Sequence, residues 1–270
     1  MRHRWKSLVL SVAMLSTAPV SAPPVPNVDA DAWLVASSDK ILWAHNADSP
    51  LPSASLTKIM TVMLALRRTP PETIVAVSAR AASESGAKTG LSAGDRVRAG
   101  LLAAAALMES ANDACMALAE SAAETPEAFV AMMNDEARRM GLRHTRFQNP
   151  CGHDARNHYS SANDVLAVAR AAMKNPFFAS IVSMRTGSFS TVDGKRKFSF
   201  QNKNELIGRY PGAEGVKTGT TPAAGKCLVA LVRRDGLEVW LVMLNARERW
   251  WTSARILDSA LRALGAPLDF

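Results

Sequence analysis

The sequence predicts an α+β protein in which both ends of the chain build an antiparallel sheet flanked by helices, and the middle adds an all-helical lobe. Near the N-terminus, two short apolar runs flank a polar turn at residues 37–40. The middle of the chain is rich in Ala, Leu and Met and has a helical texture. Beyond residue 181, strand-like arms flank two Asp-Gly turns before a last amphipathic segment. A cleft between two such lobes is a natural site for a small molecule.

The first part of the chain carries two strands and one buried helix. The strand-like runs are Ala32–Ala36 and Ile41–Ala44. The segment "SASLTKIMTVMLALRR", which starts at Ser53, is apolar around most of a helical wheel, so this helix should be buried on nearly all sides. Residues 76–98 are rich in Ser, Gly and Ala with little periodicity, which is typical of loops and short strands.

Three further segments predict the helical lobe, which we place at about residues 85–180. Residues 101–122 are helical but broken at "ESAND", and residues 126–140 and 162–173 predict two more helices. The irregular stretch "NPCGHDARNHYSS" joins the last two helices.

The C-terminal part returns to the sheet. Arms around Asp193-Gly194 predict a hairpin, and arms around Asp235-Gly236 are apolar enough to be central strands. The last amphipathic helix ends at Gly265. We therefore expect a single domain over residues 30–270.

Residues 1–22 have the pattern of an export signal, with a basic start and an apolar stretch from Leu8 to Leu15. That stretch is shorter than the roughly 20 apolar residues that span a bilayer. Small residues at 20–22 offer a cleavage site, but Pro23 follows, so a later site, up to residue 30, stays open. No later run has the length of a membrane helix.

The formal net charge is +8, or +5 without the three basic residues of the export segment. This surplus suits a protein that works beside anionic polymers such as cell wall or membrane. No block of basic residues marks a nucleic-acid face, so no nucleic acid is expected as a partner.

The three cysteines, Cys115, Cys151 and Cys227, cannot all pair, and their spacing matches no metal site. We expect free, buried thiols and leave one disulfide open. The histidines His144, His153 and His158 lie in or beside a loop and are interpreted as surface residues. No metal and no cofactor is expected.

A three-part signature, S-x-x-K, S-x-N and K-T-G, indicates acyl transfer through a nucleophilic serine. Each part occurs more than once. The copies are Ser37/Lys40, Ser55/Lys58 and Ser85/Lys88 for S-x-x-K, Ser110/Asn112 and Ser161/Asn163 for S-x-N, and residues 88–90 and 217–219 for K-T-G. The sequence around each copy must therefore indicate which copy of each motif is the catalytic candidate.

The surrounding sequence favours Ser55 as the nucleophile. Ser55 opens the apolar helix, so Lys58, three residues later, lies on the same face. The hydroxyl also sits at the positive end of that helix, where a developing anion is favoured. The pair at residues 37 and 40 falls in a hairpin turn and the pair at 85 and 88 in a loop, and neither setting holds a side chain still.

The other two motifs are chosen in the same way. Lys217 leads directly into a buried strand-like run, whereas Lys88 lies among small polar residues. Both "SAND" copies precede a helix, and Ser161 with Asp164 is typical of a capping box. Ser110 lies between two apolar helices, where an interrupted turn can direct polar side chains into a cleft.

Five blocks in order resemble the serine-type D-alanyl-D-alanine carboxypeptidases of peptidase family S11, the low-molecular-mass penicillin-binding proteins. They are "PSASLTKIMT", "LMESANDACMALAE", "MNDEARRMGLRHTRFQNPCG", "HYSSANDVLAVAR" and "YPGAEGVKTGTTPAAGKCLVA". The resemblance implies a β-lactamase/transpeptidase-like fold with the active site between sheet and lobe, and it places the catalytic S-x-N at Ser110 and Asn112. Two departures are Ala111, where many relatives carry glycine, and His153, where the family is often apolar.

The resemblance also implies roles. Ser55 attacks the carbonyl between two D-alanines, and the backbone N–H groups of Ser55 and Thr220 form the oxyanion hole. Lys58 must be neutral to accept the proton, so burial and a nearby cation, Lys217, are expected to lower its pKa. Ser110 relays the proton to the leaving amine, and Asn112 holds Lys58 and the substrate amide.

The carboxylate of the substrate needs cationic and hydroxyl partners. The motif places Lys217, Thr218, Gly219 and Thr220 at this end of the substrate. Arg249 matches the arginine that the family carries near the carboxylate, and its neighbour Arg247 stays open as an alternative. Trp250 and Trp251 are expected to pack in the core rather than to form a carbohydrate platform.

The expected partner is a peptidoglycan stem peptide ending in D-Ala-D-Ala, with β-lactam antibiotics as covalent inhibitors. A D,D-endopeptidase of the same family, which would cut cross-links, stays open. A β-lactamase is disfavoured because its deacylating glutamate has no candidate in the right setting among Glu124, Glu127 and Glu136. A non-catalytic peptidoglycan-binding protein is disfavoured because every polar position of the signature is present.

The expected location is the periplasm, either soluble or weakly associated with the membrane. Many relatives carry a β-rich second domain and a C-terminal membrane helix. This chain stops soon after its last predicted helix, so neither is expected here.

Overall fold

The computed structural model describes residues 26–266, so the predicted export signal at residues 1–22 lies outside the described residues. The strands are β1 (Ala30–Ser37), β2 (Ile41–His45), β3 (Ile74–Ala76), β4 (Arg96–Arg98), β5 (Thr186–Ser190), β6 (Lys197–Gln201), β7 (Ala213–Thr221), β8 (Gly225–Arg234) and β9 (Leu237–Ala246). The helices are α1 (Lys58–Arg68), α2 (Ala79–Ser83), α3 (Ala99–Ala104), α4 (Asn112–Ala122), α5 (Pro126–Arg139), α6 (Ala162–Met173), α7 (Pro176–Ser183) and α8 (Trp250–Ala263).

Five strands form the main sheet in the order β2-β1-β9-β8-β7, and every neighbouring pair is antiparallel. The predicted antiparallel sheet is confirmed, because β1 from the start of the chain pairs with β9 from its end. The arms around Asp235-Gly236 are the central strands β8 and β9, as predicted. Both turn residues have positive φ, 53° and 74°, which matches the twist of a two-residue hairpin.

The edge strand β7 is absent from the sequence prediction. Its sequence, "AEGVKTGTT", has two glycines and few apolar residues, which is a poor strand pattern. Lys217 therefore lies inside a strand rather than ahead of one. Pairing with β8, not intrinsic propensity, makes this segment extended.

The sheet has an apolar core on each face. Along β1, Trp33 and Val35 belong to the core that packs under α8, whereas Leu34 and Ala36 belong to the core under the helices of the lobe. This alternation follows from the period of two in a strand. The core under the helices of the lobe includes the predicted buried helix, α1, in which the nine residues from Lys58 to Leu66 are all buried. The start of α1 is therefore held rigidly inside the protein.

The helices of the lobe follow their start signals. Thr125 accepts a hydrogen bond from Ala128 N ahead of α5, and Ser161 accepts one from Asp164 N ahead of α6. The sequence analysis misses α7, although Asn175-Pro176 is the same kind of signal. Its eight residues are too few to show a helical period.

Among residues 26–266, no single helix is long and apolar enough to cross a bilayer; only the bent pair α6 and α7 passes on combined length and composition. Over the same range, no cluster of three or more His, Cys, Asp or Glu side chains could hold a metal ion.

Candidate active site

Ser55 and Lys58 lie where a short 3-10 turn, Ala54–Thr57, runs into α1. Lys58 Nζ is 3.0 Å from Ser55 Oγ. Ser55 lines the cleft between the sheet and the helical lobe, while Lys58 is fully buried behind it. The structure therefore places an amine within hydrogen-bond distance of a hydroxyl that faces the cleft.

Two carbonyl oxygens hold Lys58 Nζ from its other sides. Nζ donates to Asn112 Oδ1 at 2.7 Å and to the Cys151 carbonyl at 2.6 Å. A carbonyl oxygen can only accept a hydrogen bond. A neutral amine that donates its two N–H bonds to these oxygens directs its lone pair at the third neighbour, Ser55 Oγ. The arrangement thus suits a neutral lysine that accepts the serine proton.

The electrostatics of the cleft favour the same state. Burial lowers the pKa of Lys58 from 10.5 to about 7; the Glu84 carboxylate raises it and the Lys203 ammonium lowers it. The sequence analysis expects Lys217 to be the cation that lowers this pKa; the structure gives that effect to Lys203 instead. The pKa of Lys217 is itself held well below its usual value, by burial first and then by Lys58.

A break between two helices positions Ser110. After α3 the chain makes a π-helical turn, Ala105–Glu109, and Ser110 then takes a left-handed conformation with φ 66°. Single π-turns of this kind are frequent at functional sites. Ser110 Oγ accepts a hydrogen bond from Lys217 Nζ at 3.0 Å. The interruption predicted at "ESAND" therefore brings the second serine to the second lysine.

Asn112 ties the S-x-N motif to the loop that follows α2. Its Nδ2 donates to Ser85 O at 2.6 Å, and its backbone N donates to Ala87 O at 2.7 Å. Because Nδ2 is bound to Ser85 O, the other end of the side-chain amide, Oδ1, faces Lys58 Nζ. The amide is thereby held in one orientation.

The second K-T-G copy lies on β7 beside Ser55. Lys217 is fully buried and also donates to Thr218 O at 2.8 Å. A Cβ built on Gly219 would lie 3.0 Å from Ala54 Cβ and 3.1 Å from Ser55 N. A side chain at this position would push β7 away from the 3-10 turn, so the glycine favours this close approach. Thr218 and Thr220 line the cleft on the same stretch of strand.

Arg249, at the start of α8, reaches into the cleft. Its Nη1 donates to Gly219 O at 3.1 Å and to Thr220 Oγ1 at 3.2 Å, and its guanidinium lies 4.6 Å from the centre of the Trp250 ring. The alternative left open by the sequence, Arg247, is exposed and pairs with Asp29 at 3.3 Å. The structure therefore brings Arg249, and not Arg247, to the site.

The first K-T-G copy has a different environment. Lys88 is exposed, and the loop is held by its backbone: the N–H groups of Thr89, Gly90 and Leu91 donate to the buried carboxylate of Asp113 at 2.8–3.1 Å. This copy fastens a loop beside the cleft and directs no ammonium group into it.

Two histidines differ from the surface residues expected. His158 is buried, its Nε2 lies 2.9 Å from Thr57 Oγ1, and burial lowers its pKa to about 4. His153 lines the cleft, where its Nε2 lies 2.7 Å from Glu84 Oε2. The loop "NPCGHDARNHYSS" has no periodic pattern, so the sequence gives no sign of which side chains turn inward.

The expectation of free thiols is wrong for two of the three cysteines, which form the single disulfide that the sequence left open. Cys115 and Cys151 form a disulfide with a Cα–Cα distance of 5.9 Å, and both are buried. Cys227 is a free, buried thiol as expected, and burial raises its pKa to about 11. The pairing joins residues 36 positions apart in different elements, which spacing alone does not reveal.

The prediction for the tryptophan pair is also wrong in part. Trp250 packs against the core under α8, but Trp251 is 80% exposed. Successive residues on a helix point about 100° apart, so two neighbours near a helix start rarely share the buried face.

Comparison with known proteins gives a consistent result. The family model described as D-alanyl-D-alanine carboxypeptidase, peptidase S11, matches residues 18–248. The D-alanyl-D-alanine carboxypeptidase DacF of Bacillus subtilis is 34% identical over 232 residues, which cover 82% of this chain and 59% of that protein. This chain thus spans about three fifths of the length of that relative.

Two further proteins are similar over more of their length. A D-alanyl-D-alanine endopeptidase of Pseudomonas aeruginosa is 29% identical over 260 residues, covering 91% of this chain and 84% of that protein. The solved structure of a D-alanyl-D-alanine carboxypeptidase from Mycobacterium tuberculosis has a TM-score of 0.84 at 29% identity, covering 92% of this chain and 96% of the other. The predicted fold class is confirmed by this match.

Proposed function

The chain belongs to peptidase family S11, the D-alanyl-D-alanine carboxypeptidases, and on this basis we propose that it removes the terminal D-alanine from peptidoglycan pentapeptides through a serine acyl-enzyme. The observation that carries the proposal is the contact of Ser55 Oγ with Lys58 Nζ at 3.0 Å, inside a cage that suits a neutral amine. We assign this activity to one catalytic domain over residues 30–270, with a helical lobe at about 85–180.

In the acylation step, Ser55 Oγ attacks the carbonyl carbon of the penultimate D-alanine as its proton moves to Lys58 Nζ. The low pKa of Lys58, about 7, supports this direction of transfer near neutral pH. The backbone N–H groups of Ser55 and Thr220 would stabilise the developing oxyanion. The close packing of Gly219 against Ser55 N supports this assignment, because it brings the two segments together.

The leaving amine needs a proton when the C–N bond breaks. Ser110 Oγ is the hydroxyl positioned to deliver it, since Lys217 Nζ donates to it at 3.0 Å and can replace the proton it gives up. Asn112 keeps Lys58 in place and offers its amide to the substrate backbone. Water then hydrolyses the ester, with Lys58 acting as the base once more.

The terminal carboxylate of the substrate is proposed to bind between Thr218, Thr220 and Arg249. Arg249 Nη1 already contacts the Thr220 hydroxyl at 3.2 Å, and its buried Nε has no hydrogen-bond partner among the described residues. A buried, unsatisfied guanidinium donor is costly, and an anionic ligand would satisfy it.

The test combines two measurements on the same protein. With a peptide ending in D-Ala-D-Ala, the protein should release free D-alanine; with benzylpenicillin, its mass should increase by one penicilloyl group located on Ser55. The S55A variant should show neither effect at an unchanged melting temperature. Release of D-alanine by S55A, or a wild-type mass that penicillin leaves unaltered, contradicts the proposal.

A second activity, cleavage of peptide cross-links, is favoured by one observation: the endopeptidase of Pseudomonas aeruginosa is similar over 84% of its length. The two activities differ in the group attached to the second D-residue, which is a free carboxylate for a carboxypeptidase and a further peptide chain for an endopeptidase. Purified dimeric muropeptides separate them. An endopeptidase converts dimers to monomers, whereas a strict carboxypeptidase leaves the dimers intact and releases D-alanine from pentapeptides only.

Hydrolysis of β-lactams is expected to be slow. Glu136, one of the three candidate deacylating carboxylates, is held by Arg139 and Arg67, which lower its pKa to about 2. Glu124 and Glu127 do not line the cleft either. The penicilloyl adduct on Ser55 should therefore persist. We also propose that the mature chain works in the periplasm. Osmotic-shock fractionation tests that location.

A further inference from the structure

We propose that the Cys115–Cys151 disulfide is a positioning element of the active site, which fixes the Cys151 carbonyl against α4 so that Lys58 keeps its lone pair directed at Ser55. This role rests on the proposed function. The two ends of the bond belong to the two segments that carry the carbonyl acceptors of Lys58.

One end of the disulfide, Cys115, lies in α4. Cys115 follows Asn112 by three residues, and its backbone N donates to Ala111 O within the first turn of the helix. Asn112 Oδ1 is the first acceptor of Lys58 Nζ, at 2.7 Å. This end is therefore rigid, because α4 packs against α1 in the core of the helical lobe.

The other end is an irregular loop. Thr61 Oγ1 of α1 donates to Pro150 O at 2.5 Å, and Asn149 Oδ1 accepts from the N–H groups of residues 151–153, so the disulfide adds a covalent link to hydrogen bonds that already orient the loop. Residues 149–152 are irregular, and the Cys151 carbonyl is the second acceptor of Lys58 Nζ, at 2.6 Å. Cys151 Sγ lies 3.8 Å from Asn112 O, and Cys115 Sγ lies 3.5 Å from Pro150 O. The disulfide thus links α4, which carries one acceptor of Lys58, to the loop that carries the other.

The loop also separates Lys58 from the cleft. Cys151 and Gly152 line the cleft, and Gly152 is packed so tightly that a Cβ on it would lie 2.0 Å from Ala54 O. If the loop moved away from α4, water would enter beside Lys58. Burial is the main reason for the low pKa of this lysine, so hydration would raise it.

A positioning role predicts a kinetic effect that a merely stabilising disulfide would not have. In the C115A/C151A variant, the acid limb of the pH profile for acylation by benzylpenicillin should move upward by about one pH unit, or about tenfold in rate on that limb. With the peptide substrate, kcat should fall by a larger factor than KM changes, because the contacts proposed for the substrate carboxylate lie on β7 and Arg249. The control is C227A, which removes a buried thiol outside the pair; it should lower the melting temperature without moving the acid limb.

A second arm uses the wild-type chain in case the double variant does not fold. Dithiothreitol reduces the disulfide to two thiols and is itself oxidised to its cyclic disulfide, and alkylation followed by mass spectrometry counts the thiols formed. Acylation of the folded, reduced protein should show the same upward shift, and removal of the reductant in air should reverse it.

Three outcomes distinguish a failure of the positioning role from a failure of the proposed function. An acid limb that stays in place in both arms while the melting temperature falls overturns the positioning role. Peptide mapping that finds Cys115 and Cys151 as free thiols in the exported protein overturns it as well. A wild-type protein that penicillin never acylates instead contradicts the proposed function itself.

Discussion

The chain contains the tripeptide Lys-Thr-Gly twice, and the two copies have opposite environments. At residues 217–219 it lies on the edge strand β7, with the lysine fully buried and its Nζ 3.0 Å from Ser110 Oγ. At residues 88–90 it lies in a loop, with the lysine exposed and the backbone bound to Asp113. The same tripeptide therefore faces the cleft in one place, where we propose a catalytic role, and anchors a loop through its backbone in the other. What differs is burial and the direction of the lysine.

The largest effect is expected from replacing the lysine of each copy in turn. Lys217→Met keeps most of the buried volume but removes the donor to Ser110, so the rate of penicillin acylation should fall by about 10²–10⁴-fold. Lys88→Met is the matched control and should leave the rate unchanged. Equal rates for the two variants would remove the second copy from the mechanism.

The glycines of the two copies make the next comparison. Gly219→Ala places a methyl group 3.1 Å from Ser55 N, which should separate β7 from the nucleophile and cost about 10²-fold in acylation, the size of one lost oxyanion donor. At Gly90 no atom lies within 4 Å of a built Cβ, but φ is +89°. Gly90→Ala should therefore cost about 1 kcal/mol in the free energy of unfolding. Stopped-flow acylation and urea denaturation distinguish the two; a rate loss at Gly90 would argue against the assignment.

The anchoring role of the first copy is tested through Asp113. Asp113→Ala leaves the N–H groups of Thr89, Gly90 and Leu91 without their acceptor, so the free energy of unfolding should fall by about 3 kcal/mol. Since this loop also holds Asn112 through Ser85 O, kcat should fall several-fold as well.

The matched control for that experiment is Asp164→Ala, the aspartate of the other "SAND" copy. Its carboxylate accepts hydrogen bonds from His144 N and Thr145 Oγ1, away from the cleft. This variant should lose stability without a change in kcat. If both aspartates affect kcat alike, the loop at residues 84–91 has no special connection to the site.

The smallest effect concerns the charges around the buried lysines. Lys203 lowers the pKa of Lys58, so Lys203→Gln should raise that pKa and move the acid limb of kcat/KM to higher pH. Glu84 raises the pKa, so Glu84→Gln should move the limb to lower pH. Each shift should be about one pH unit or less. Lys88→Gln, on the exposed copy, should move nothing; shifts of the same sign for Lys203 and Glu84 would contradict the electrostatic account.

Much of the fold follows from local sequence. The turn at Asp235-Gly236 predicts the central hairpin because few other residues tolerate positive φ, and Thr125-Pro126 and Ser161 start α5 and α6 because they satisfy the first free N–H groups of a helix. These signals act over three or four residues. For the same reason, Ser55 and Lys58, three residues apart at a helix start, could be paired from the sequence.

The rest depends on residues that are distant in the chain. Lys58 meets Asn112 and the Cys151 carbonyl across 54 and 93 positions. The choice of Arg249 over Arg247 depends on which residue of the segment between β9 and α8 reaches Gly219 and Thr220 of β7. The sequence by itself determined the family motifs and most of the elements. Only the tertiary structure decided the disulfide, the inward-facing histidines, the contribution of Lys203 and the environment of each Lys-Thr-Gly, because burial and pairing are set by packing between segments and not by the residues on either side.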